Sequence, residues 1–357
     1  MKKILFLIIS ITLMFGCVNV YAQTMSKYGY PKAYKPNKAV NVLQNTTQNN
    51  SVSSVSNSSS TGLFPHHINP AILSVNNMLS VSYSDLGLNY GEYANNGYSL
   101  SLNGGSSDKY LDTENGFLNG FKLSLSNTFY HFYNEANFSY YSGNDTYTGS
   151  KQGGTFGSVI NTTNSKIYNF NYKLGYMIPI THNFVITPYG ELGWHIWKRD
   201  NIGGNNGQNE HYSNWIAMIG ILGQYAFTPK LVGDLGFSYG TTFDAQIQAN
   251  EVYMTSENYN TLTNTWSYSY ADTTWGLGSK SIYNITAGLD YKFYGHFNIF
   301  GNVKYERFKY GQSALYNYDT EVTVNNIYYE TLINPSTWEP NSVTNEIIYS
   351  IGLGYSF

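Results

Sequence analysis

The last twelve residues, Glu346-Ile347-Ile348-Tyr349-Ser350-Ile351-Gly352-Leu353-Gly354-Tyr355-Ser356-Phe357, decide how the chain is read. Ile347, Tyr349, Ile351, Leu353, Tyr355 and Phe357 are apolar or aromatic, and Ser350, Gly352, Gly354 and Ser356 between them are small or polar. A period of two sends the two sets to opposite faces of a strand. In a soluble sheet a greasy terminal strand leaves an open edge. A closed barrel removes that edge by pairing its last strand with its first. In a bilayer such closure is obligatory, because unpaired backbone finds no water there. A central strand of a soluble β-sandwich fits the same residues, so the rest of the chain must decide.

Composition favours the bilayer. The 357 residues include 34 Gly and 36 Tyr, with 17% aromatic and only 11% charged side chains, where a soluble domain carries about a quarter charged. A mean hydropathy of −0.32 excludes a bundle of transmembrane helices. An apolar outer face, aromatic girdles and polar loops account for the mixture. The net charge of −3 gives no electrostatic case for nucleic acid. The only cysteine is Cys17, within the leader. The mature chain is therefore expected to lack disulfides, thiolate metal sites and a cysteine nucleophile.

Met1-Lys2-Lys3 followed by the apolar run Ile4–Phe15, with Val20-Tyr21-Ala22 ahead of Gln23, has the layout of a secretory signal peptide over residues 1–22. Acylation of Cys17 is the rival reading, disfavoured by Met14 and Phe15. Residues 23–77 show no sustained period, and Asn45 to Thr61 is almost entirely Ser, Asn, Thr, Gln and Val. Such a segment buries too little apolar surface to offset ordering entropy and is expected to be a disordered periplasmic tail. His66-His67 lacks further metal ligands nearby and is assigned to a linker.

Alternation then fills residues 78–357. Leu79, Val81 and Tyr83 alternate with serines, although the phase breaks at Asp85-Leu86. Phe121 to Ser126, Tyr130 to Tyr140, Tyr168 to Tyr176, Phe184 to Ile196, Leu231 to Ile247, Tyr283 to Phe293 and Ile299 to Glu306 repeat the pattern. Residues 212 to 227 are apolar on both phases. These segments predict an all-β, antiparallel, up-and-down transmembrane β-barrel of about ten strands, or eight if the first segment drops out. Short connections at Ser126–Thr128, Pro179–His182, Thr228–Lys230 and Gly295-His296 alternate with long ones at about 92–115, 143–165, 200–210, 249–278 and 316–344. Outer-membrane barrels sort their loops in this way, with the short turns periplasmic.

Three stretches carry a family resemblance: Tyr110–Phe121, Ile186–His195 and the terminal strand. They resemble the small outer-membrane β-barrels of Gram-negative bacteria, of the OmpX and opacity-protein type, over roughly residues 79 to 357. The resemblance implies residence in the cell outer membrane, contact with outer-membrane lipid and lipopolysaccharide, and recognition of the C-terminal strand by the barrel-assembly machinery. It does not imply one function, because the architecture hosts adhesins, plugged barrels, channels and enzymes. A ten-stranded barrel is also similar in shape to the omptin proteases, which use acidic residues and a His–Asp pair at the extracellular rim. Asp244 lies on a candidate rim strand, but no Asp-Glu-His cluster accompanies it, so that activity is not carried over.

The inward phases place Lys122, Glu135, Lys173, Glu191, His195, Asp234, Asp244, Asp290, Lys292, Lys304 and Glu306 in the lumen. A narrow ten-stranded lumen favours a packed network of ion pairs, and a polar channel lined by the same groups is the alternative. Glu191 and His195 share a face four residues apart, which suits an acid–base pair, yet a structural pair explains the spacing equally well. Trp194, Trp197, Trp215, Tyr355 and Phe357 are assigned to the membrane interfaces. Tyr253, Tyr259, Trp266, Tyr268, Tyr270, Trp275, Tyr316, Tyr318, Tyr328 and Tyr329 fall in outer loops and suit adaptable contact surfaces. No catalytic residue, metal site or cofactor is expected. The function read from the sequence is a monomeric barrel with a structural or adhesin-like role toward an unidentified extracellular ligand, and a narrow porin-like channel for small solutes is the alternative.

Overall fold

The computed structural model describes residues 67–93, 110–149, 156–202, 208–260, 265–314, 316–317, 320–324, 327–331 and 336–357. The leader, residues 23–66 and several loop tips lie outside the described residues. The main sheet holds β1 (Met78–Tyr93), β2 (Tyr110–Phe129), β3 (Phe132–Gly149), β4 (Val159–Tyr176), β5 (Ile178–Thr181), β6 (Phe184–Ile202), β7 (Gln208–Thr228), β8 (Leu231–Asn260), β9 (Thr265–Leu277), β10 (Ser281–Tyr294) and β11 (Phe297–Tyr310). After the short strands β12 (Tyr316–Asn317), β13 (Thr320–Val324), β14 (Ile327–Thr331) and β15 (Ser336–Thr337), β16 (Asn341–Ser356) completes it.

Closure is explicit in the register. β1 pairs with β2 on one side and with β16 on the other, where Leu79 faces Tyr355 and Tyr83 faces Ile351. Twelve strands make ten staves, because β5 continues β4 past Met177 and β10 continues β9 past a Gly278–Gly311 bridge. All pairings are antiparallel. The first segment is a full stave, so the count is ten rather than eight. The short turns are two residues each, at positions 130–131, 182–183, 229–230 and 295–296. The first turn therefore falls at Tyr130-His131, and Ser126–Thr128, expected to be a connection, belongs to β2.

Two chemistries alternate along each stave, and they exchange sides partway up. Near the short turns the outward residues are apolar and exposed: Leu79 and Val81 on β1, Leu123 on β2, Ile219 on β7, Leu235 on β8, Leu289 on β10, and Ile351 and Leu353 on β16. Ser80, Ser82 and Ser84 face the lumen opposite them on β1. Further up β1 the lumen side becomes Leu86, Leu88 and Tyr90, all buried. The outward side there carries Asn89, in an amide row with Asn345 and Asn115 across three staves. The apparent phase break at Asp85-Leu86 is this exchange and not a break in the strand. Below it the barrel presents apolar surface outward to lipid; above it the barrel projects into water with an apolar interior. A tilted strand needs about 9–11 residues to cross a bilayer, and β2, β6, β7 and β8 run to 20, 19, 21 and 30 residues.

The exchange also explains why residues 212–227 looked apolar on both phases. Ile219, Ile221, Tyr225 and Phe227 point to lipid, while Tyr212, Ile216 and Met218 are buried inside.

Residues 67–77, expected to belong to the unstructured tail, instead form an ordered stopper. Asn69 caps helix α1 (Pro70–Val75) by accepting from the Ala71 amide at 2.8 Å, with Pro70 at the first helical position. The helix sits at the short-turn end, packing Ala71 and Ile72 against Tyr133, Met177, Val185, Ala226 and Val232. Asn76 and Gln224 exchange amide hydrogen bonds of 2.7 and 3.0 Å. Asn69 donates to Asn183 at 2.7 Å, and Ser74 to Ser356 at 3.0 Å.

Ile351→Arg, in the outward apolar band, is expected to destabilise the barrel by about 2–4 kcal/mol. Lys309→Leu, outward but above the band, should shift stability by less than about 0.5 kcal/mol. Urea unfolding in lipid vesicles, followed by tryptophan fluorescence, measures both.

Candidate functional site

The lumen has three layers above α1. Directly over the helix lies a polar chamber of about 220 Å3. Glu135 and Lys173, directly opposite on β3 and β4, form an ion pair at 3.1 Å. Tyr133 and Asn137 also donate to Glu135. Asn171 donates to Glu191 at 3.0 Å. Lys122, Asp234, Asp290 and Lys304 line the same space. Lys304 turns upward to Glu306 at 2.8 Å, and Lys292 donates down to Ser74 of α1 at 3.4 Å.

An apolar layer stands over the chamber. It contains Leu86, Leu118, Tyr141, Ile167, Trp197, Tyr212, Ile247, Trp275, Ile282, Phe308 and Ile348, so every stave contributes at least one side chain. Each fully buried Leu or Ile here stabilises the fold by about 1.5–3 kcal/mol relative to exposure. His195 lies at the lower boundary, donating through Nδ1 to Asn169 at 2.7 Å and packing on Phe308. No direct Glu191–His195 hydrogen bond forms, so the structure gives no acid–base pair at this spacing.

The third layer, above the lipid-facing band, is built around Arg199 at the end of β6. Its guanidinium grips Glu114 of β2 through Nε and Nη2, at 3.1 and 2.8 Å, and meets Glu210 of β7 at 2.7 Å. The ring faces of Tyr90, Trp197 and Tyr212 surround it at 4.7, 5.1 and 5.7 Å. Tyr90 donates to Glu92 at 2.7 Å and Tyr212 to Glu339 at 2.8 Å. One arginine thus serves Glu92, Glu114 and Glu210, with Glu339 one tyrosine away and Asp112 close by. Burial raises the pKa of Glu92, Asp112 and Glu339, and repulsion from neighbouring carboxylates adds to it against the pull of Arg199. Burial also pushes Glu210 up to about 7, against the pull of Arg199. Burial alone would weaken the Arg199 charge, but Glu114 and Glu210 hold it firmly protonated.

The residue assignments made from sequence divide accordingly. Lys122, Glu135, Lys173, Glu191, Asp234, Asp290 and Lys304 share the chamber; His195 and Glu306 border it from above, and Lys292 from below. Asp244 is not among them. A β-bulge between Phe243 and Gln246, with Asp244 at φ 50°, shifts the phase and turns its side chain outward. Ile247, expected outside, is consequently buried inside. Trp197 is likewise inside and fully buried, because it shares the phase of His195 and Arg199. Trp194 and Trp215 do face outward, stacked edge to face at 4.5 Å, and Tyr355 and Phe357 are exposed at the short-turn end. Trp275, assigned to an outer loop, lies in β9 and is buried. The side chains of Tyr253, Tyr259, Trp266, Tyr268, Tyr270, Tyr316, Tyr318, Tyr328 and Tyr329 lie outside the described residues. The Arg199 cluster was not anticipated; the inward phase of β6 continued past Trp197 was the available signal.

At the rim, His211 has its pKa lowered by burial and then by Lys198. Among the described residues no group of His, Cys, Asp or Glu is arranged to hold a metal ion.

A closed ten-stave barrel with an apolar outer band and short turns on the side of both described chain ends admits one setting. The chain is an outer-membrane β-barrel. No family model matches it, and no curated protein does. Among solved structures it is similar to the outer membrane protease OmpT from Escherichia coli, at 13% identity over 79% of this chain and 97% of that one, with a TM-score of 0.45. It is also similar to the toluene transporter TodX of Pseudomonas putida, at 11% identity over 81% and 92%, TM-score 0.30. A third is Ail, the attachment invasion locus protein of Yersinia pestis, solved with the heparin analogue sucrose octasulfate, at 10% identity over 78% and 97%, TM-score 0.27. At these identities the likeness concerns fold alone.

Arg199→Ala leaves buried carboxylates without their cation and is expected to destabilise the upper barrel by about 3–5 kcal/mol; accelerated protease cleavage above the lipid band measures it. Glu210 binds more protons folded than unfolded, so its contribution is complete below about pH 4.5 and is lost as pH rises through about 7. Cleavage of the upper barrel should therefore be faster at pH 8 than at pH 5, and Glu210→Gln should flatten that difference.

Proposed function

We propose that this protein is a closed, non-catalytic barrel whose task is carried out at the cell surface by the projecting staves and the long connections between them. The observation that carries this reading is the apolar layer, to which every stave contributes a buried side chain. A conducting pore needs a continuous wet path, and packed Leu, Ile, Trp and Tyr side chains interrupt it. The staves extend well beyond the lipid band, and stave ends that project from the membrane suit adhesin-like contact. A monomer is the simplest assembly, held in lipid and lipopolysaccharide by its apolar band and aromatic residues and delivered to the barrel-assembly machinery by β16.

Among the described residues, two at the rim support the non-catalytic reading. His211 has Lys198 as its nearby charge, and Asp244 points away from the lumen. The second reading, a narrow pore for small solutes, draws on the polar chamber alone.

Planar-bilayer conductance of the refolded chain separates the two. Heat-modifiable protein with no stable steps is the expected result, and it should persist when α1 is loosened by Ile72→Asp. Stable steps in the wild type, altered by Glu135→Gln or Glu191→Gln, would replace the surface reading with the pore.

A further inference from the structure

The chamber above α1 has unmet hydrogen-bonding capacity on its walls. Asn137 Oδ1, Glu191 Oε2 and Asp290 Oδ1 are buried without a partner, and their residues are 7%, 5% and 8% exposed. Buried acceptors in native proteins are nearly always satisfied, by protein, water or ligand. Other charges in the chamber are already engaged, Glu135 with Lys173 and Lys304 with Glu306.

What remains is polar in a directional sense. Asp234 and Asp290 stand on adjacent staves, β8 and β10, where Gly288 makes room; a Cβ there would meet Asp234 Oδ2 at 2.3 Å. Lys122 stands on β2, five staves from β8 in a ten-stave ring, and so on the opposite wall. One arc between them carries the Glu135–Lys173 pair and Glu191 together with Asn137 and Asn171, and the other carries Ser80, Ser82, Asn302 and Ser350. A plain cation would face Lys122, and a plain anion would face the aspartates and Glu191. A small molecule bearing an ammonium at one end and a carboxylate at the other meets both walls with opposite charge.

We propose that the chamber is a binding site for a small zwitterion of amino-acid or dipeptide size, entering from the periplasmic side past α1. The ammonium lies toward Asp234 and Asp290 and the carboxylate toward Lys122, while Glu191, on a stave between the two walls, and Asn137, beside Lys122, accept from N–H donors along the ligand. The volume of about 220 Å3 limits the ligand to this size class. The lid is the short helix, seated on Ala71 and Ile72 and held otherwise by exchangeable amide and hydroxyl bonds.

Equilibrium dialysis of radiolabelled glycylglycine against the refolded full chain tests the site. The expected result is saturable uptake of one molecule per barrel, reduced at least tenfold by Lys122→Met and by Asp290→Asn, both still heat-modifiable. Ile72→Asp should speed uptake. Thiol labelling of Ser139→Cys in a Cys17→Ser background reports access independently, and it should be slow with native α1 and fast with Ile72→Asp. No uptake by an Ile72→Asp barrel that labels fast would overturn the proposal, leaving a chamber for water only. Uptake indifferent to Lys122→Met and Asp290→Asn would overturn the assigned polarity. Labelling unchanged by Ile72→Asp would overturn the lid and with it the periplasmic route.

Discussion

Hydrocarbon offers the backbone no hydrogen-bond partner, and the architecture follows from that constraint. Each stave must have two neighbours, so β16 returns to β1 and the barrel closes. Once closed, a strand cannot rotate. Its period of two assigns each residue to the inside or the outside along its whole length, within the membrane and beyond it. What changes along the strand is the medium outside. Lipid selects Leu353, Ile351 and Leu235 for the outer face, and water above it selects Asn89, Asn115 and Asn345.

The inside responds to the same boundary. Where lipid covers the exterior, apolar outward side chains need no burial within protein, and the lumen can hold a polar chamber. Above the membrane that option ends. A barrel in water must bury apolar surface to offset chain entropy, and its lumen is the only interior it has. The apolar layer of Leu86, Leu118, Ile167, Trp197 and Ile247 is therefore the core of the projecting half.

Much of the membrane-embedded part was legible in the sequence because alternation there is dictated by lipid. The outward positions of Leu79, Val81, Leu123 and Leu289 and the ten-stave count follow from it. Legibility failed where a local device altered the phase or where the pattern inverted. The bulge at Asp244 adds one residue to β8, which moves Asp244 out and Ile247 in. Trp197 was assigned by residue type, although its parity with His195 and Arg199 placed it inside. α1 was hidden by the low-complexity stretch before it, despite the Asn69-Pro70 start signal. The Arg199 cluster draws on positions from 90 to 339, a distance in sequence that periodicity does not span.

That cluster is expensive by the usual measure of buried ions. Apolar residues of similar volume often replace a buried ion network at no loss of stability, or at a gain. Its effect is better sought in geometry. Arg199 on β6 touches Glu114 on β2, Glu210 on β7 and the ring of Tyr90 on β1, and through Tyr212 it reaches Glu339 ahead of β16. Apolar side chains at these positions would fill the space while tolerating small slides between staves. A guanidinium fixed by two carboxylates and three aromatic faces does not tolerate them. The ends of β1, β2, β6 and β7 above the lipid band are thereby held in one arrangement relative to each other.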